Sequence, residues 1–415
     1  MEPIAVLLVI VLCAGFYLSF NIGANDVANT MGTSVGSRAL NIKNAILLAA
    51  VFEFLGALLM GDEVSKTIKQ GFVDPSVFAQ DPLGFAYGMT AAIVATSIWL
   101  QYATIRGLPV STTHSIVGAV LGFALIQGRG SSVNFNQILQ IFSTWLVSPI
   151  LGGFISYLCL IMILRFIIDN KDPLKRAKFI APAMLGVIVC LLSSSFTFKL
   201  AGKIFSNFIS LWGVLISFVL GLLSCVLIYF YANRFVINSH SRVVILTKIE
   251  KIFSRMQWVT ACFLAFAHGS NDVANSIGPA ASVIAVIKKN SVTESSEVPF
   301  WLLLLGAVGI VIGLLTFGKK VIDTVGKQIT QITPTRGFSA EFGASLTILF
   351  GSSLGIPVST THILVGSVIG VGLARGIGGI DLSVIKKIAK SWIVTMPATA
   401  IISMMLCLFI KFYRP

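Results

Sequence analysis

Ten long apolar stretches, separated by short polar ones, run along this chain: 3–20, 43–60, 83–104, 141–168, 179–198, 208–232, 256–280, 300–318, 338–354 and 388–411. Most come close to the roughly 20 residues that carry an α-helix across a hydrocarbon core. Short alternating segments with turn signals, the mark of a transmembrane β-barrel, are missing. The pattern predicts an all-α integral membrane protein of about 10–12 transmembrane segments. The first stretch follows Met1, Glu2 and Pro3 directly, without a basic leader or a small-residue cleavage site, and reads as a retained span.

Composition sharpens this picture. Hydrophobic residues make up 56% of the chain and charged ones only 11%, against roughly 25% charged in a soluble protein. No hydrophilic stretch is long enough for a separate soluble domain. The net charge of +14 does not point to nucleic acid, because Lys and Arg fall in short loops where they orient helices. The six cysteines lie within apolar stretches, form no C-x-x-C pair, and read as small buried hydrophobes. The expectation is a multi-pass protein of the plasma membrane whose partner is the lipid bilayer.

The polar positions inside the apolar stretches repeat. NIGANDVANTMGTSVG at 21–36 returns as AHGSNDVANSIGPAAS at 267–282, and GLPVSTTHSIVGAVLG at 107–122 returns as GIPVSTTHILVGSVIG at 355–370. Aligning Asp26 with Asp272 gives an offset of 246, and Ser111 with Ser359 gives 248. GALLMG at 56–61 resembles GLLTFG at 313–318, with an insertion around 288–297. The chain divides into a transmembrane repeat at 1–165, connecting helices with an amphipathic linker at 166–255, and a second transmembrane repeat at 256–415. Arg38 and Lys43 follow the first helix of repeat one, whereas the basic segment 234–255 precedes the first helix of repeat two. If both are cytoplasmic, the repeats have inverted topology. Lys66, Lys69, Lys288 and Lys289 depart from the rule. In the linker, Ile245, Ile249, Ile252 and Phe253 share a helical face, which predicts a helix lying in the cytoplasmic interface.

Ionisable residues within a bilayer are costly and therefore mark function. Four acids qualify: Asp26, Glu53, Asp272 and Glu341. The aspartates are repeat-related, while Glu53 and Glu341 align with Ile310 and Ile93. Gly23, Asn25, Asn29 and Gly32 crowd the first aspartate; Gly269, Asn271, Asn275, Gly278 and Pro279 crowd the second. Such runs are expected to leave each span unwound at its middle, where carbonyls, carboxylate and Asn oxygens suit Na⁺. In the other motif, Pro109 and Pro357 disfavour helix just before them, and Ser111 and Ser359, or the threonines after them, are natural N-caps. Two half-helix N-termini result, an anion site built without Lys or Arg. His114 and His362 read as structural. His268 has no counterpart, since Ile22 stands in its place, and it too reads as structural; no Asp–His pair is read along the chain as a proton relay.

Together, GANDVAN at 23–29, GSNDVAN at 269–275 and PVSTTH at 109–114 and 357–362 resemble the inorganic phosphate transporter family, the sodium- or proton-coupled phosphate permeases. The resemblance covers both repeats. It implies inorganic phosphate as substrate, inverted repeats with broken helices, re-entrant hairpins bearing the Ser-Thr-Thr tips, and a homodimer. It places Asp26 and Asp272 in the cation–phosphate site and puts Glu53 and Glu341 where the family has functional acids. The expected phosphate set is Ser111, Thr112, Thr113, Ser359, Thr360, Thr361, Asn25 and Asn271. The expected Na⁺ set is Asp26, Asn29, Asp272, Asn275, Glu53 and Glu341.

Phosphate beside two aspartates is repelled at low dielectric. Bound Na⁺ cancels that repulsion, so each ligand favours the other. The reading is a phosphate symporter with Na⁺ as coupling ion, working by alternating access; a proton-coupled permease, or a carrier of sulfate or arsenate, is the alternative. An intramembrane hydrolase fits poorly, because the G-x-S-x-G elbow is missing and the Ser-Thr-Thr-His unit is duplicated.

Overall fold

The computed structural model describes residues 3–413, apart from 72–74, 109, 128–132, 134, 205–208, 236–240, 290–291, 293–297, 327–331 and 377–381. Pro109 and most of the 288–297 insertion thus lie outside the described residues. The described residues form α1 (Pro3–Gly36), α2 (Ile42–Gly71), α3 (Pro82–Ile105), α4 (Thr112–Gln127), α5 (Phe135–Ile163), α6 (Pro173–Ile204), α7 (Ile209–Asn233), α8 (Arg242–Lys289), α9 (Phe300–Gly326), α10 (Pro334–Ser353), α11 (Thr360–Leu373) and α12 (Leu382–Tyr413).

Length decides which helices cross. α4 has 16 residues and α11 has 14, about 24 and 21 Å at 1.5 Å per residue, short of a core about 30 Å thick. The end of α4 returns beside the start of α3, with Phe123 packed on Phe85 at 6.0 Å between ring centroids. α3 and α4 therefore form a re-entrant hairpin, although α3 alone is long and apolar enough to span. α10 and α11 form a second hairpin: Gly343 of α10 and Gly370 of α11 both abut the backbone of α5 at Gly152–Gly153. Among the described residues eight helices cross, α1, α2, α5, α6, α7, α8, α9 and α12, and with the four hairpin helices twelve segments enter the membrane. α8 crosses in spite of its polar middle, which keeps it off any tally of purely apolar spans.

Following these crossings, α8 runs opposite to α1, and the repeats are inverted. Among the described residues, Arg38, Lys43, Lys171, Lys175, Arg176, Lys178, Arg234, Arg242 and Arg375 lie at one end and Lys288, Lys289 and Lys411 at the other. The first end is the cytoplasmic one.

The two repeats interlock. Gly23 lies against the backbone of Ile310 and Gly313 against Phe20; Gly269 lies against Glu53 and Gly56 against Phe266. In each case a Cβ would collide with a main-chain atom. The second pair of contacts is the first shifted by the repeat: 269 − 23 and 266 − 20 are 246, while 310 − 53 and 313 − 56 are 257. α1 thus packs on α9 and α8 on α2, with glycine bringing the backbones together as membrane helices require. The hairpins swap as well. Gly118 and Gly122 of α4 seat on Met396 and Ala400 of α12, and Gly366 and Gly370 of α11 seat on Pro149 and Gly153 of α5.

Two expectations are corrected here. The spans around Asp26 and Asp272 are not unwound: α1 and α8 are continuous through both motifs. The glycines that suggested a break serve the crossings, and the broken segments are the hairpins alone. The linker and the second repeat's first span are likewise one helix, not pieces meeting at 255/256. Ile249, Ile252 and Phe253 are buried against the protein, in one cluster with Phe338 and Leu174, and do not lie on lipid.

Candidate functional site

Each hairpin turns through a glycine with positive φ, Gly107 (62°) and Gly355 (70°), a conformation that residues with a Cβ seldom adopt. Ser111 and Ser359 then cap the returning helices. The Ser111 Oγ accepts from the His114 amide at 3.2 Å, and the Ser359 Oγ accepts from His362 at 3.3 Å. The serines, not the threonines, are the caps. Thr112, Thr113, Thr360 and Thr361 occupy the first turns of α4 and α11, where N–H groups have no partner within their own helix.

The two tips meet. Thr113 Oγ1 donates to the Val358 carbonyl at 3.1 Å, and Thr361 Oγ1 donates to Val110 at 3.4 Å. Behind them stand the aspartate helices, joined to the tips by asparagines. Asn29 donates to Asp26 Oδ1 at 3.1 Å and to Thr361 at 2.9 Å. Asn275 donates to Asp272 Oδ1 at 3.3 Å, to Thr112 at 3.2 Å and to Thr113 at 3.3 Å. Asn25 reaches the first tip, donating to Thr104 at 3.0 Å, while Asn271 reaches the second, donating to the Val358 carbonyl at 2.8 Å. Thr360 donates to Asp272 Oδ2 at 3.0 Å. All these polar residues are buried.

The symmetry breaks where the aspartates meet α2. His268 Nε2 lies 2.7 Å from Asp272 Oδ2 and 3.9 Å from Asp26 Oδ2, and Nδ1 lies 3.4 Å from Glu53 Oε1. Thr30 donates to Glu53 at 3.1 Å. At the matching crossing of α1 and α9 stand Ile22 and Ile310. A single buried cluster therefore holds Asp26, Asp272, Glu53 and His268. The sequence reading missed the His268–Asp272 pair, although the two are four residues apart on one helix, a spacing that places them on one face.

Glu341 is not in that cluster. It accepts from Thr33 at 2.7 Å, Ser34 at 2.6 Å, Gln257 at 2.8 Å and Thr260 at 2.7 Å. Thr33 and Ser34 lie two helical turns beyond Asp26, about 11 Å along α1 towards the cytoplasm. With four donors its carboxylate is satisfied by protein, and it ties α1, α8 and α10 together. His114 and His362 stack edge to face at 4.3 Å, flanked by Trp145 at 3.8 Å and Trp392 at 3.6 Å. This four-ring column packs the hairpins together.

A cation fits the central cluster. Asp26 Oδ2, Glu53 Oε2, Asn25 Oδ1 and Asn275 Oδ1 are buried oxygens that accept no hydrogen bond. Such orphaned oxygens are rare in native interiors, and hard oxygen ligands are what a small alkali or alkaline-earth cation takes. Beside them, the two helix N-termini capped by Ser111 and Ser359 supply what an oxyanion takes, and the Thr113, Thr360 and Thr361 hydroxyls can turn to it by releasing Val358, Asp272 and Val110.

Similar proteins carry the same architecture. A "Putative phosphate permease" of Chlamydia trachomatis is 44% identical, covering 98% of both chains. Proteins of the same description from Haemophilus influenzae and Thermococcus kodakarensis are each 41% identical, over 93% and 95% of this chain and 92% and 96% of theirs. A solved structure described as the sodium-dependent phosphate transporter superposes with a TM-score of 0.91 at 38% identity, covering 98% of this chain and all of that one. Residues 22–403 match the phosphate transporter family. The chain is a multi-pass membrane protein and a member of that family, and not an enzyme.

Proposed function

We propose that this chain imports inorganic phosphate by symport with Na⁺. One observation carries the reading: two pseudo-symmetric hairpin tips meet beside two buried aspartates, so that an anion cradle and a set of orphaned hard oxygens share one buried place. Phosphate is held by Ser111, Thr112, Thr113, Ser359, Thr360 and Thr361, with Asn25 and Asn271 fixing the tips from behind. Na⁺ is held by Asp26, Asn29, Glu53, Asp272 and Asn275; Glu341 falls out of this set because its donors already satisfy it. The relatives' descriptions and the sodium-dependent structural neighbour support the same assignment.

Coupling follows from charge. An oxyanion at the tips faces two or three carboxylates at low dielectric and stays away until cations neutralise them. Each ligand raises the affinity for the other by the same factor. The hairpins then shift with their seats on α5 and α12, opening the site to one side at a time. Proteoliposomes holding the full chain should accumulate phosphate under an inward Na⁺ gradient at fixed pH. Uptake that ignores Na⁺ and follows a pH gradient would select proton coupling. That second reading has its own observation, His268 set between Asp26, Asp272 and Glu53. The assembly in this reading is a homodimer, which crosslinking in native membranes tests.

A further inference from the structure

Outside the caged site, one cavity of about 480 Å³ opens in the outer half of the protein, between the end of α2, the first turns of α5 and the tip of the second hairpin. Its volume is far above the roughly 10–15 Å³ that one water needs. Its walls mix the polar Thr67, Asn136, Gln140, Ser143 and Thr144 with the apolar Leu139 and Ile141, and its floor is Ile356 and Pro357. Asn136, Gln140 and Ser143 follow one another at helical spacing and all are exposed. A polar stripe turned outward on a membrane helix is costly against lipid and favourable against water.

The floor is thin. Val358, the next residue, accepts from Thr113 and Asn271 inside the cage, and Ser359 caps α11. The same short loop therefore has the cavity on one face and the anion cradle on the other. It turns at Gly355, whose left-handed backbone lies beside Thr67 and the main chain of Glu63.

We propose that this cavity is the outer antechamber of the transport path, a weak docking site for hydrated phosphate that the Ile356–Pro357 loop separates from the caged site. The inference rests on the phosphate reading above. Among the described lining residues the Asn136 and Gln140 amides offer donors, while the Ser143 and Thr144 hydroxyls already donate to the Leu139 and Ile141 carbonyls at 2.8 and 2.7 Å. That suits a waiting position: favourable enough for an ion to enter and weak enough for it to move on.

The test uses the full chain in right-side-out membrane vesicles, with Ser143→Cys and Gln140→Cys tested separately and the unsubstituted chain setting the background of its own cysteines. Leu146→Cys, on an outward apolar face of α5 at 72% exposure, is the lipid-facing control. A membrane-impermeant, anionic methanethiosulfonate added outside should modify Ser143→Cys and Gln140→Cys at least tenfold faster than Leu146→Cys. Modification should lower Na⁺-driven phosphate uptake fivefold or more. Inorganic phosphate with Na⁺ should slow modification several-fold, whereas Na⁺ alone should not. Reaction no faster than at Leu146→Cys would mean that lipid fills the cavity and overturns the proposal. Fast modification without loss of uptake or phosphate protection would overturn it too. Failure of the phosphate reading looks different: the unmodified, unsubstituted chain would then take up no phosphate at all.

Discussion

Replacing Asp26 by Asn removes one charge and keeps the shape of the site. Asn29 bridges Asp26 and Thr361 through bonds of 3.1 and 2.9 Å, so an anion bonded to the Thr361 hydroxyl sits within about 8 Å of the carboxylate. At an effective dielectric near 20, two unit charges at that distance repel by about 2 kcal/mol, about thirtyfold in affinity. Asp26→Asn should therefore strengthen phosphate binding in the absence of Na⁺ and weaken its dependence on Na⁺. The assay is equilibrium binding of radiolabelled phosphate to purified protein, with Na⁺ absent and with Na⁺ saturating. The ratio of the two dissociation constants should shrink by about ten- to a hundredfold in the variant. Na⁺-driven uptake should fall sharply while membrane insertion is unchanged. An unaltered ratio would refute the claim that this carboxylate couples the two ligands.

Other outcomes follow from the same geometry. Gly269→Ala places a methyl against the Glu53 backbone, which has no rotamer with which to yield; thermal unfolding of the purified protein should show a loss of about 1–3 kcal/mol or more, and Gly23→Ala should behave alike at Ile310. Thr113→Val and Thr361→Val remove hydroxyls that join the tips, and should each raise the phosphate KM by about tenfold while the matching Ser variants stay near the parent. Glu341→Ala strands Thr33, Ser34, Gln257 and Thr260, costing about 1–3 kcal/mol per buried donor left unpaired; its melting temperature should drop while the Na⁺–phosphate coupling ratio in the binding assay stays within about threefold of the parent.

Much of this was legible in the sequence because both motifs occur twice. Duplication made Asp26 and Asp272, and Ser111 and Ser359, stand out from an otherwise apolar text. It also fixed the register that the four glycine crossings later obey. What the sequence hid was spatial. Glycine and asparagine near an aspartate look alike whether they unwind a helix or bring two helices close; only Ile310 and Glu53, distant along the chain, decide between these. The alternation of helices could not say whether α3 crosses or turns back, since α3 is long enough for either. Glu341 and Glu53 looked equivalent as intramembrane acids. They part company because Glu341 meets four donors brought from α1 and α8, whereas Glu53 keeps one oxygen bare beside His268. His268 stood out only as a histidine without a repeat partner, and the cation cluster lies where the repeat symmetry fails.

The most direct test is to locate the anion. Crystals of the full chain soaked with Na⁺ and arsenate, the heavier analogue of phosphate, carry an anomalous signal that marks the oxyanion without assumptions. The strongest arsenic peak should lie between Thr113 and Thr361, within hydrogen-bond reach of their hydroxyls, and should vanish when Na⁺ is replaced by choline. A strongest peak remote from both tips, or one between them that persists without Na⁺, would contradict the account.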